Sequence, residues 1–218
     1  MTNSDLKDVF NEVEDWQEEA REYYLDMFIS KNDPGHNREH VDAVYRTMLE
    51  IKEKRNAFDL DQRVLFMCAY LHDLFVWKNR KHHHILAAHY VYEHANTDIF
   101  LRRFASYDIE YIANAILEHR SSGSLKTSSE YSMILRIADN GKPEIYSIIK
   151  RIYECNKEMS LSDAREHAFK HLIEKFGPNG YIRKDEYWTK YYKDEIELLD
   201  KEFESDENLK EKIREIIC

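Results

Sequence analysis

Only five glycines and three prolines fall among the 218 residues, and apolar side chains recur at i, i+3, i+4 and i+7 along the whole chain. With so few backbone breakers and no long run of strict alternation, the pattern predicts an all-α, multi-helix bundle. The length suits one well-cored domain, and no repeat or linker-like stretch divides it. We read residues 1–33 as an N-terminal helix packed on the domain, 34–145 as its core, and 146–218 as C-terminal helices completing it.

The first helix, from about Ser4 to Ser30, turns Leu6, Val9, Phe10, Val13, Trp16 and Ala20 inward and stops at "NDPGHN". The second, from about Arg38 to Arg55, presents Val41, Val44, Tyr45, Met48 and Ile51, and a third runs from about Asp61 to Asp73. Helices follow over 83–95, 98–104 and 107–120, then one ending at Asp139 and one opened by Pro143 in its first turn, where proline sacrifices no hydrogen bond. Another runs from Ser160 to the Gly177-Pro178 stop, and one charged, tyrosine-rich helix closes the chain.

Composition removes several function classes. Charged residues make up 34% of the chain and the mean hydropathy is -0.72, so no membrane span is expected. The N-terminus lacks the basic and apolar regions of a secretory leader, so the expected address is cytoplasmic. Cys68, Cys155 and Cys218 are too widely and irregularly spaced for a disulfide framework or a thiolate knuckle, and read as reduced thiols. A net charge of -10 argues against a nucleic-acid polymer as partner, whereas a small anionic substrate is compatible with it if a local metal ion outweighs the global charge.

Against this background, certain polar residues stand on apolar stripes. On the third helix Val64, Leu65, Cys68 and Leu71 share a face, and His72 continues it at i+8. In "YSMILRIAD", Tyr131, Ile134, Leu135 and Ala138 are continued in the same way by Asp139. His119 shares a face with Ile112 and Ile116, and His40 lies four residues before Val44; His36 joins that face only if the helix has already begun there. Taken singly, an inward histidine is usually a hydrogen-bonded core residue. A buried carboxylate, however, calls for a cation, strong donors or a proton. Asp73 adjoins His72, and neighbours on a helix point about 100° apart, so both reach one ion only near a helix end. Imidazole nitrogens with carboxylate oxygens suit a borderline divalent ion. His89, His94, His167 and His171 read as surface or packing residues.

In order, "GHNREHVDAVYRTM", "YLHDLF", "HHILAAHYV", "IANAILEHRSS" and "ILRIADNGK" resemble the successive motifs of the HD superfamily of metal-dependent phosphohydrolases, over about residues 34 to 145. The later "HLIEKFGPNGY" is similar to the tail of some small single-domain bacterial members. The resemblance implies a bundle with a metal site between core helices. Its primary ligands fall on His40, His72, Asp73 and Asp139, and its further histidines on His119 and on His83, or on His84 with a one-residue shift.

The implied cofactor is one divalent ion (Mn, Fe, Co, Ni, Zn or Mg), with room for a second through His83 and His119. The implied reaction is attack of a metal-activated water on a small phosphorylated metabolite, with a nucleotide as the leading candidate and Asp73, His119 and His83 as catalytic groups. Lys78 and Lys142 are candidates to grip non-transferred phosphates. Two other readings are a dinuclear iron oxygenase, as in inositol oxygenase, and a non-catalytic regulatory module that keeps a structural metal. Leu74, Phe75, Val76 and Trp77 follow the His-Asp pair where some nucleotidase members carry an acid, and Glu118 stands where a histidine is frequent. The Gly-Tyr-Pro element of the cyclic-dinucleotide branch is missing. The aromatic side chains Tyr181, Tyr187, Trp188, Tyr191 and Tyr192 suit either a pocket wall or a homodimer contact.

Overall fold

The helix Gln62–Leu71 is apolar on nearly every side, with each residue from Val64 to Leu71 buried. A helix without a polar face is stable only inside other elements. The computed structural model describes residues 3–123 and 125–218, with side chains from Asp15 onward, and it surrounds this helix with others. The α-helices are α1 (Asn3–Met27), α2 (Arg38–Lys54), α3 (Gln62–Leu71), α4 (His83–His94), α5 (Ser106–Glu118) and α6 (Glu130–Asn140). They continue with α7 (Ile145–Glu154), α8 (Leu161–Phe176), α9 (Glu186–Tyr191), α10 (Lys193–Glu202) and α11 (Asp206–Ile216). Among the described residues there is no strand, as the helical periodicity predicts. No helix among them is long and apolar enough to cross a membrane.

The chain forms two compact units. The first comprises Met1–Asn32, His36–His119 and Thr127–Leu135. Here α1, α2 and α5 pack on α3, and α4 packs on α5. Trp16 and Ala20 of α1 are buried as expected, together with Tyr24 and Leu25; the expectation for Leu6, Val9, Phe10 and Val13 lies outside the described side chains. Trp16 meets the rings of Phe66, Phe100 and Phe104 at 5.6 to 6.0 Å. Burying each such large apolar group contributes about 1.5–3 kcal/mol.

The second unit comprises Asp33–Gly35, Arg120–Lys126 and Arg136–Cys218. Its α8 buries a stripe of Ala164, Ala168, Leu172 and Phe176 and packs with α7, α11 and the 3-10 turn Tyr181–Lys184. Trp188 of α9 is fully buried and donates Nε1–H to the Gly141 carbonyl at 2.9 Å.

Three sequence expectations need correction. The helix expected over 98–104 is only the 3-10 turn Leu101–Arg103, because Asp98 Oδ1 accepts from the Phe100 and Leu101 amides at 2.9 and 3.0 Å. Pro143 precedes the cap of α7 rather than opening its first turn; the cap is Glu144, which accepts from the Tyr146 and Ser147 amides. The single C-terminal helix is three helices, broken at Tyr192 and restarted at Ser205, whose hydroxyl accepts from the Asn208 amide. At Asp98, Glu144 and Ser205 a side chain bonds to nearby backbone and so competes with helix continuation, or starts a new helix.

Asp61 caps α3 by accepting from the Arg63 amide at 2.8 Å. Partial burial pushes its pKa up, but hydrogen bonds from the Arg63 side chain and amide outweigh that and hold the carboxyl below its ordinary value. Asp61→Ala is expected to lower stability by about 1 kcal/mol, the usual worth of a helix cap, in urea unfolding at neutral pH. A carboxyl whose folded pKa is depressed stabilises above its unfolded pKa, and loses that contribution as pH falls through the folded one. The gap between variant and wild type should therefore shrink in acid, and a gap that stays constant would show that the carboxylate charge does not matter.

Candidate metal centre

The apolar run of α3 ends at Leu71, and His72 forms its C-cap, still with helical angles and with its amide bonded to Cys68 O at 3.2 Å. His72 therefore completes the inward stripe, fully buried, and Asp73 occupies the turn that follows, only 2% exposed. This is the helix end that the adjacent pair requires if both side chains are to face one point.

Asp73 is the centre of the arrangement. Its Oδ2 lies 3.2 Å from His72 Nε2 and 3.3 Å from His40 Nε2, and its Oδ1 lies 3.2 Å from His83 Nε2. His40 comes from the first turn of α2, where Asn37 caps the helix by accepting from the His40 amide at 3.2 Å. His83 opens α4, and His119 is the C-cap of α5. His83 Nε2 and His119 Nε2 are 3.2 Å apart. Ligand atoms of His40, His72 and Asp73 lie within 4.8 Å of one another, as do those of Asp73, His83 and His119.

Three of these imidazoles are held in the same way. His72 Nδ1 is 2.7 Å from Ala69 O, His83 Nδ1 is 2.8 Å from Arg80 O, and His119 Nδ1 is 2.6 Å from Ile116 O. A carbonyl only accepts, so each Nδ1 carries the hydrogen, and in the neutral ring each Nε2 presents a lone pair. Those lone pairs face the Asp73 carboxylate or one another at 3.2 Å. Acceptors at that separation need positive charge between them, which a proton or a metal ion supplies. Histidine with one nitrogen fixed by a backbone carbonyl and the other aimed inward is the common form of a metal ligand. The donor set of neutral imidazole and carboxylate fits a borderline divalent ion. Burial pushes the Asp73 pKa up, but the facing histidines, His72 foremost, outweigh it and hold the carboxyl well below the usual range.

Asp139 sits on the last turn of α6, half-buried and within the second unit. Tyr131, Ile134, Leu135 and Ala138 are buried on the same helix, the stripe on which the sequence put it. Lys78 is exposed, with Nζ 6.0 Å from the centre of the Phe75 ring. Lys142, in the second unit, is exposed and 3.4 Å from Glu195. Glu118 turns to the loop that follows α5, accepting from the Ser128 amide at 2.7 Å and hydroxyl at 3.0 Å.

One supporting group was not legible in the sequence. In the second unit Asp185 is buried, caps α9 by accepting from the Tyr187 and Trp188 amides, and accepts from Ser121 Oγ at 2.7 Å. Ser121 Oγ in turn accepts from Asn140 Nδ2 at 2.7 Å, and Arg136 Nε is 3.8 Å from Asp185. Ser121 lies two residues after His119, and Asn140 directly follows Asp139. The network thus ties together the segments that follow these two candidate residues. "KDEYW" carries a cap signal at Asp185, but nothing in it announces burial.

A family model described as HD domain matches residues 37–141. No curated protein and no solved structure matches the chain.

Proposed function

We infer, from the HD-domain family model that matches residues 37–141 and the histidine–aspartate cluster within them, that this chain is a metal-dependent hydrolase. We propose that it cleaves a phosphoester or phosphoanhydride bond of a small phosphorylated metabolite, a nucleotide being the leading candidate. The observation that carries this reading is the set of imidazoles locked by backbone carbonyls with Nε2 turned to the Asp73 carboxylate or to one another. In a purely structural histidine, the second nitrogen would find a donor or solvent rather than another acceptor.

His40, His72 and Asp73 of the first unit are the proposed ligands, with Asp139 the fourth that the family resemblance implies. An ion held there would lower the pKa of a bound water and polarise a phosphoryl oxygen. The rest falls to side chains. His83 and His119, with Nε2 atoms 3.2 Å apart, can share one proton, and either can pass it to the leaving oxygen. Asp73 Oδ1, 3.2 Å from His83 Nε2, is the proposed acceptor of the proton that the attacking water loses. Lys78 and Lys142 are the proposed contacts for non-transferred phosphates; Lys142 must first leave Glu195.

The test is hydrolysis of a panel of nucleotides and other phosphate esters by purified protein with added manganese. Release of phosphate or pyrophosphate from at least one is expected, and its loss on adding a chelator. Inactivity across a broad panel of esters by a metal-loaded protein would overturn the reading.

A second reading is favoured by the other group, Asp73, His83 and His119, which could hold a second ion. With two irons there, the chain would be a dinuclear iron oxygenase instead of a hydrolase. Two irons per chain with oxygen consumption would support it, whereas a single ion per chain with phosphate release supports the first.

A further inference from the structure

Asn32, the first residue of "NDPGHN", ends the 3-10 turn that follows α1 and is half-buried. Its side chain makes three hydrogen bonds to backbone far apart in sequence. Nδ2 donates to the carbonyl of Asp73 at 3.0 Å and to the carbonyl of His36 at 3.0 Å, and Oδ1 accepts from the amide of Trp77 at 3.0 Å. The orientation of the amide is forced, because a flipped side chain would set its oxygen against two carbonyls and its nitrogen against an N–H. All four residues belong to the first unit.

Each partner bears on the metal centre. The Asp73 carbonyl also accepts from the Val76 amide at 3.2 Å, so with Asn32 both of its lone pairs are used and the turn that aims the Asp73 carboxylate is fixed at its hinge. Trp77 closes the far side of that turn. His36 is followed directly by Asn37, the cap of α2, whose side chain holds the amide of His40. One side chain therefore spans the segments that set two candidate ligands from different helices.

We propose that Asn32 is a positioning residue for the metal site, holding Asp73 and His40 in register for the ion; this rests on the metal-dependent reading above. Asn32→Asp changes one atom and keeps the acceptor for Trp77, but it turns an oxygen toward the Asp73 and His36 carbonyls. Groups that orient metal ligands typically contribute about 10–100-fold to metal affinity, so a loss of that size is expected in Mn²⁺ binding by calorimetry. The visible spectrum of the Co²⁺ form should shift as its coordination changes.

Asp61→Ala, at the opposite end of α3, supplies the control for a merely structural loss: it should lower the unfolding midpoint while leaving Mn²⁺ affinity within about twofold, since distant sites are usually independent. Asn32→Ala gives a second variant if the aspartate proves poorly folded. Wild-type affinity in a folded Asn32 variant, or a loss no larger than that of Asp61→Ala at matched stability, overturns the role of Asn32 alone. Wild-type protein that binds no divalent ion overturns the metal reading, and the positioning role with it.

Discussion

On the function proposed above, replacing His72 with alanine should leave a folded protein that retains no divalent ion and no longer releases phosphate. His72 is fully buried, its Nδ1 is fixed on Ala69 O, and its Nε2 faces Asp73 at 3.2 Å, so no neighbouring side chain can take over its position without repacking. A metal ion contributes several kcal/mol of charge stabilisation to phosphoryl transfer, so the rate should fall by about 10³-fold or more. The same substitution removes one hydrogen bond and opens a small cavity, which should lower stability by only about 1–3 kcal/mol. Circular dichroism separates the two effects: the variant should keep its helical spectrum while elemental analysis finds no stoichiometric metal. Metal content and hydrolysis equal to wild type would remove His72 from the site and with it the centre proposed here.

How much of this could be read beforehand follows from the physics of each signal. The helices of the core were legible because their apolar stripes are long. Val64 to Leu71 fix α3, and the inward pointing of His72, His40 and His119 follows from the same periodicity. The capped start of α8 at Ser160 was legible for a local reason, a hydroxyl three residues ahead of an acid. The C-terminal tract was misread because its breaks at Tyr192 and Ser205 involve neither glycine nor proline. The choice between His83 and His84 was open by spacing alone; it is His83 whose Nε2 lies 3.2 Å from Asp73, while the His84 ring packs 6.2 Å from that of His119. The fixed tautomers were out of reach, because a bond from Nδ1 to the carbonyl three residues back leaves no mark in residue type. Asn32 and Asp185 were missed for a related reason: their partners are backbone atoms or distant side chains, which a sequence does not pair.

Asp73→Asn separates a metal centre from an ordinary buried ion cluster more sharply than any loss of activity. If Asp73 were simply the anion of an imidazolium–carboxylate cluster that holds helices together, removing its charge would break a buried pair and lower stability by about 3–5 kcal/mol. A metal site predicts the opposite sign for the metal-free protein, measured in mildly alkaline buffer, because imidazoles fixed by backbone carbonyls turn Nε2 lone pairs toward the carboxylate. There the carboxylate faces the Nε2 lone pairs of His72 and His83 at 3.2 Å with the ion removed. An asparagine amide can instead donate toward His72 Nε2, which lies 3.2 Å from the Oδ2 position. The metal-free variant should therefore be more stable than metal-free wild type by about 1 kcal/mol, the net worth of one neutral hydrogen bond. Added manganese should stabilise wild type and leave the variant unchanged, so the order of the two unfolding midpoints reverses when metal is present. Such a crossing is the signature of residues kept for function at the expense of the empty fold. A variant that is less stable by several kcal/mol without metal would mark the cluster as structural, and one that still gains stability from manganese would show that Asp73 is not a ligand.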